Sequence, residues 1–142
     1  MKGAQVAIVL GSFHSDEMEV MLAAAKDEFE AKGLAMHSVV RVPGAYEKPL
    51  AAKRLLLRKE VAGVVVLGII ERGETAHGRV MGQSVSDALI RLQLEFMRPI
   101  GIGIIGPGAE PSHVERRLES YARAAVAAVS AMLQDTSARM NA

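Results

Sequence analysis

A chain of 142 residues with a formal net charge of only +1, half of it apolar, suits one domain with a core of its own. It offers neither the basic stripe of a nucleic-acid binder nor the charge excess of a disordered segment. The absence of cysteine excludes disulfides and thiolate chemistry and removes the best metal ligands.

Met1, Lys2 and Gly3 lead directly into "AQVAIVLG". That run is too short for the apolar core of a signal peptide and far short of a membrane span, so a soluble cytoplasmic protein is expected. Gln5 to Leu10 is the first of four apolar runs; the others are Ala35 to Val42, Gly63 to Ile70 and Ile100 to Ile105. The first, third and fourth are nearly continuous in Val, Ile, Leu and small residues, as in strands covered on both faces of a parallel sheet. Helices are expected between them, at about Asp16 to Lys32 and Tyr46 to Glu60. In Arg79 to Met97 the apolar Val80, Met81, Val85, Ala88, Leu89, Leu92 and Phe96 share one face.

The last helix opens on "SHVE", where Ser112 and Glu115 have the spacing of a capping box. Val114, Leu118, Tyr121, Ala125, Val129 and Met132 make its stripe. Its "YARAAVAAVSAML" is apolar nearly all the way round, which predicts cover from two sides, its own sheet and a neighbouring subunit. Homo-oligomerisation is expected.

Strand-helix alternation repeated four times predicts an α/β fold. The form expected is a three-layer α/β/α flavodoxin-like sandwich on a four-stranded parallel sheet of order 2-1-3-4. In such sheets ligands bind beyond the carboxyl ends of the strands, near the point where strand order reverses. Four segments follow the strands: "GSFHSD" (Gly11 to Asp16), "PGAYE" (Pro43 to Glu47), "ERGETAH" (Glu71 to His77) and "GPG" (Gly106 to Gly108).

In the third, Gly73, Glu74 and Thr75 stand where a helix begins. Their free N–H groups and the Thr75 hydroxyl suit an anion such as phosphate, with His77 close behind to exchange protons. The plainer alternative makes Thr75 a helix cap and His77 a solvated first-turn residue. Phe13, one of five aromatic residues, reads either as a lid on the core or as a platform for a flat heterocycle. Glu47 reads as a ligand carboxylate or as a charge matched to a helix N-terminus.

"GIGIIG" (Gly101 to Gly106) satisfies G-x-G-x-x-G, but its glycines lie inside a strand and no ribose-binding acid follows. They are expected to admit a backbone or a ligand close to the strand. His14, His37, His77 and His113 have no metal-ligand spacing, and no metal is expected; only His14 and His77 are placed to meet at the strand ends.

Taken in order, these segments resemble the 6,7-dimethyl-8-ribityllumazine synthase family, most of all its archaeal-type branch. The resemblance is carried by Phe13, "VPGAYEKPLAAKRL" (Val42 to Leu55), "GIIERGETAHGRV" (Gly68 to Val80), "LQLE" (Leu92 to Glu95), "GIIGPG" and "ERR" (Glu115 to Arg117). It spans nearly the whole chain and implies condensation of 5-amino-6-(D-ribitylamino)uracil with 3,4-dihydroxy-2-butanone 4-phosphate, without metal or organic cofactor.

By the same resemblance Phe13 stacks on the pyrimidine, and Ala45, Tyr46 and Glu47 hold the ribityl chain and ring. Ile69, Ile70 and Glu71 line the ring pocket, Gly73, Glu74 and Thr75 bind phosphate, and His77 carries protons. Ile102 and Arg117, with Arg116 as the alternative to the latter, come from a neighbouring subunit of a homopentamer, which in some relatives builds a sixty-subunit shell. His14 replaces the family's frequent asparagine. "YARAA" stands where relatives often carry lysine, leaving Arg123 as the nearby cation, and "GRV" follows His77 in place of an aromatic-acid pair. Two alternatives remain: an archaeal-type riboflavin synthase, and a non-catalytic lumazine- or flavin-binding shell protein.

Overall fold

The computed structural model describes residues 3–71, 77–109 and 111–141, with the side chains of all of these except 71, 107–109, 111–113, 115, 116 and 135–141. Four strands, β1 (Gln5–Gly11), β2 (Ala35–Val42), β3 (Gly63–Glu71) and β4 (Ile100–Ala109), pair in parallel in the order β2-β1-β3-β4. Helices α1 (Ser15–Lys32), α2 (Lys48–Leu56), α3 (His77–Phe96) and α4 (Pro111–Asn141) alternate with them. The expected three-layer, flavodoxin-like order is the one observed.

The sheet's alternation splits the core in two. Val6, Ile8, Leu10, Val65, Leu67 and Ile105 face one way and pack with α1 and α4 through Met18, Met21, Leu118, Ala122 and Val126. Ala7, Val9, Val64, Val66 and Ile100 face the other way and pack with α2 and α3 through Ala52, Leu56, Val85 and Leu89. Because both faces are covered, the strands must be apolar throughout, which is why their sequences read as continuous runs.

On α4 the buried stripe is Val114, Leu118, Ala122, Ala125, Val126, Val129 and Leu133. Tyr121 and Met132, expected in it, point outward at 36% and 49% exposure. On α3 Val85, Leu89 and Leu92 are buried and Met81 and Phe96 partly so, whereas Val80 is exposed. In both helices the apolar sequence is wider than the face the sheet covers. The side chains of Ser112 and Glu115 lie outside the described residues, and α4 already begins at Pro111.

Three boundaries differ from expectation. The segment Tyr46 to Glu60 divides into a 3₁₀ turn, Ala45–Glu47, and a short α2 ending at Leu56. Arg98, far along the chain, donates to the carbonyls of Leu56, Arg58 and Val61 and so closes the helix end. The turn that follows is tied to β2 by Glu60, which accepts from Arg58 Nε at 3.0 Å and meets His37 Nε2 at 3.1 Å. Its own backbone N–H and the Arg58 guanidinium lower the Glu60 carboxyl to about 2.

β4 continues through "GPG" to Ala109, past a register shift opposite Ile69 and Glu71. Gly106 makes the irregularity possible: its φ is +93°, and an added Cβ would overlap the Ile70 carbonyl oxygen. Further back, Gly101 and Gly103 bring β4 against the α4 backbone: an added Cβ would overlap the Ala125 carbonyl at Gly101 and meet the Tyr121 carbonyl oxygen at 3.0 Å at Gly103. Of the "GIGIIG" glycines, Gly101 and Gly103 therefore serve helix packing and Gly106 the strand irregularity.

Candidate active site

The carboxyl ends of β1 and β3 open into a cavity of about 320 Å³. It sits where strand order reverses, since the chain leaves β1 for β2 on one side and returns to β3 on the other. Phe13, His14, Ala45, Lys48, Ile69, Ile70, His77 and Met81 line it, with Gly11, Gly44 and Gly68 at its walls. Three of the four post-strand segments thus converge on one space.

The loop after β1 is held by Ser12, whose backbone N–H and hydroxyl both donate to the Val42 carbonyl at the end of β2, at 2.8 and 3.0 Å. Beyond that clamp Phe13 stands 70% exposed with its ring edge against Gly44. It is no lid on the core. An exposed phenylalanine on a cavity wall loses hydrophobic stabilisation unless something flat covers it.

His14 follows at φ 57° and ψ 51°, in left-handed backbone, and its carbonyl accepts from Met18 N at 2.8 Å to start α1. Asparagine tolerates that region best and histidine is among the few other residues enriched there. The departure from the asparagine of relatives is thus one that the backbone accepts.

The "PGAYE" segment makes a 3₁₀ turn, Ala45–Glu47, in which Gly44 O accepts from Glu47 N at 3.3 Å. Ala45 faces the cavity. The Tyr46 ring meets the His77 imidazole edge-on, with centroids 6.3 Å apart and planes at 73°. This contact joins the second and third post-strand segments and fixes the approach of the imidazole. Glu47 is exposed beside Gly44.

His77 is the first residue of α3 and lines the cavity together with Gly78 and Met81. His14 and His77, the two histidines expected to approach each other at the strand ends, border the same space. Glu71 ends β3, its side chain outside the described residues; Gly73, Glu74 and Thr75 lie outside them altogether.

Ile102 and Arg117 are not among the described residues lining this chain's cavity. Ile102 is partly buried on the α2 and α3 face of β4, and Arg117 is exposed on α4. Arg123, the cation noted in "YARAA", is committed elsewhere: it pairs with Asp27 and Glu28 of α1 at 3.5 and 3.4 Å, and with Glu119.

The residue that the sequence did not single out is Lys48. It opens α2, is 2% exposed and borders the cavity. Burial lowers its amine from 10.5 to about 8, against a smaller opposing effect of the neighbouring Glu47 charge. The signal was present in two glycines. Leu10 pairs with Leu67, so Gly11 and Gly68 come next on these neighbouring strands, and the missing side chains leave a slot. Lys48 Nζ fills it, 3.6 Å from a Cβ built on Gly11 and overlapping one built on Gly68.

A sequence profile described as 6,7-dimethyl-8-ribityllumazine synthase matches residues 3–136. A protein of that name from Staphylothermus marinus is 39% identical over 130 residues, covering 92% of this chain and 87% of that protein. Another from Metallosphaera sedula is 38% identical over 122 residues, 86% of this chain and 81% of its own length. A third, from Picrophilus torridus, is 35% identical over 115 residues, 81% and 85% respectively. Among the described residues no helix is long and apolar enough to cross a membrane.

Proposed function

The chain belongs to the 6,7-dimethyl-8-ribityllumazine synthase family, and from that premise we propose that it condenses 5-amino-6-(D-ribitylamino)uracil with 3,4-dihydroxy-2-butanone 4-phosphate. The products are 6,7-dimethyl-8-ribityllumazine, phosphate and two molecules of water, a step of riboflavin biosynthesis. The observation that carries the reading is the cavity itself, which gathers Phe13, Ala45, Ile69, Ile70 and His77 from three separate segments.

In this reading the pyrimidine stacks on Phe13 between the walls formed by Ile69 and Ile70, with Glu71 at the end of β3. Ala45, Tyr46 and Glu47 hold the ribityl chain. The 5-amino group adds to the butanone carbonyl and loses water as a Schiff base; phosphate then leaves, and the ribitylamino nitrogen adds to the remaining carbonyl and expels a second water to close the ring. Each step moves a proton, and an imidazole can both accept and return one near neutrality. His77 is suited to this by its place on the cavity and by Tyr46 against its ring. Gly73, Glu74 and Thr75 bind the phosphate in front of α3, where unpaired helix N–H groups favour an anion.

Arg117 and Ile102 complete the site from a neighbouring subunit. The reading is supported by the described lining of this chain's own cavity, which includes neither of them, and by the apolar side chains that α3 and α4 leave exposed, including Ile90, Leu94, Tyr121 and Met132. The whole chain forms one domain of a homopentamer, which can assemble further into a sixty-subunit shell in the cytoplasm.

Incubation with both substrates tests the function: a product that absorbs in the near ultraviolet and fluoresces green is expected, and its absence from assembled protein overturns the reading. Arg117→Ala should raise KM for the butanone phosphate about 10-fold or more, as loss of a charged hydrogen bond does, with KM for the pyrimidine unchanged. An equal rise for both substrates would remove Arg117 from the phosphate.

A further inference from the structure

Lys48 is given no role in the site that the resemblance implies. Yet it is almost wholly enclosed, and its amine borders the same cavity as Phe13 and His77. Among the described residues its ammonium has no hydrogen-bond partner. Burying a lysine amine in this way destabilises a fold unless a ligand makes use of it. Two neighbouring strands also forgo a side chain to admit it, at Gly11 and Gly68. Helix packing does not require this, since α2 is already anchored through Ala51, Ala52, Leu55 and Leu56.

A donor-only group on an apolar wall, beside an exposed aromatic ring, matches a flat ligand with oxygen acceptors on its rim. The pyrimidinedione has two such carbonyl oxygens. We propose that Lys48 is a substrate-binding residue, whose amine on the inner wall of the cavity donates to a carbonyl oxygen of the pyrimidine stacked on Phe13. This rests on the function proposed above and deepens it, giving the ring a charged contact from within the same subunit.

Among the described residues the titratable groups around the amine are Glu47, one residue back on the chain, and His14 and His77 on the same cavity. A carbonyl acceptor favours the charged amine, so ligand affinity through Lys48 is full below about pH 8 and declines as pH rises beyond it. Glu47, His14 and His77 are retained in a Lys48 variant, so the two proteins are compared at each pH.

The test compares wild type with Lys48→Met, which keeps the chain length and removes the donor. Binding of 6,7-dimethyl-8-ribityllumazine is read by its fluorescence, and KM is read for each substrate. Lys48→Met should weaken lumazine binding and raise the pyrimidine KM by about 10- to 100-fold, leave the butanone phosphate KM within about 2-fold, and lose its disadvantage as pH passes from 8 towards 10. In wild type, bound lumazine should also protect Lys48 from acetylation while leaving the half-exposed Lys53 reactive, a measurement independent of whether the variant folds.

Unchanged lumazine affinity and pyrimidine KM in the folded variant would overturn the assignment while leaving the synthase reading standing. Acetylation of Lys48 that proceeds without lumazine and is not slowed by it would do the same. Borohydride trapping of the butanone phosphate on Lys48 would replace the hydrogen bond with a covalent role. A wild-type protein that neither makes nor binds lumazine would remove the synthase reading and this contact together.

Discussion

Gly101 and Gly103 in the middle of β4, and Gly11 and Gly68 at the ends of β1 and β3, leave room for different neighbours. An added methyl at Gly101 meets the backbone of α4 at Ala125 and, at 2.9 Å, a methyl of Val129. At Gly68 it meets the far end of one lysine side chain. The first pair lets a helix axis lie close to a strand, and the space is filled by rigid main chain. The second pair leaves a slot at the rim, filled by a group that can move and carries chemistry. Glycine in a buried strand thus marks close approach, and the neighbour decides whether that approach is structural or functional.

The comparison would break first at Gly101. Gly101→Ala forces α4 off the sheet, and a loss of about 2–4 kcal/mol is expected in denaturant unfolding; unaltered stability would mean that the helix does not press on β4. A smaller change of opposite sign is expected at the rim. Lys48→Met should stabilise the protein at pH 7 by about 1–3 kcal/mol, because it removes a charge that burial disfavours.

The sign follows from the lowered amine. Between pH 8 and 10.5 the unfolded chain holds the Lys48 proton while the folded one has released it. Wild-type stability therefore gains from this residue as pH rises through that window, and the advantage of Lys48→Met narrows over the same range. Unfolding midpoints at pH 7 and 10 check it. The smallest effect is expected at Gly68: Gly68→Ala displaces a flexible amine and should cost under about 1 kcal/mol while weakening lumazine binding. A loss as large as that of Gly101→Ala would make Gly68 a packing residue too.

Much of the fold was legible because parallel strands covered on both faces have to be apolar along their length, and Val64 to Leu67 or Ile100 to Ile105 read as nothing else. The end of α2 was not, because Arg98 closes it from some forty residues away, beyond the reach of local periodicity. "GPG" read as a turn, since glycine and proline usually interrupt strands; only the pairing of Glu71 with Ala109 shows the strand continuing. In the site, Phe13 and His77 were visible from their places after strands. Lys48 was hidden in plain helical context, where a lysine usually lies in water, and only the register that sets Gly11 beside Gly68 reveals the space it occupies.

The central claim, that the cavity at the ends of β1 and β3 is where the two substrates condense, is tested most directly by the turnover of His77→Ala with both substrates saturating. The expected result is a fall in kcat of about 10² to 10⁴ with folding and assembly intact. Turnover at the wild-type rate would contradict it and return His77 to the role of a solvated residue at the start of α3.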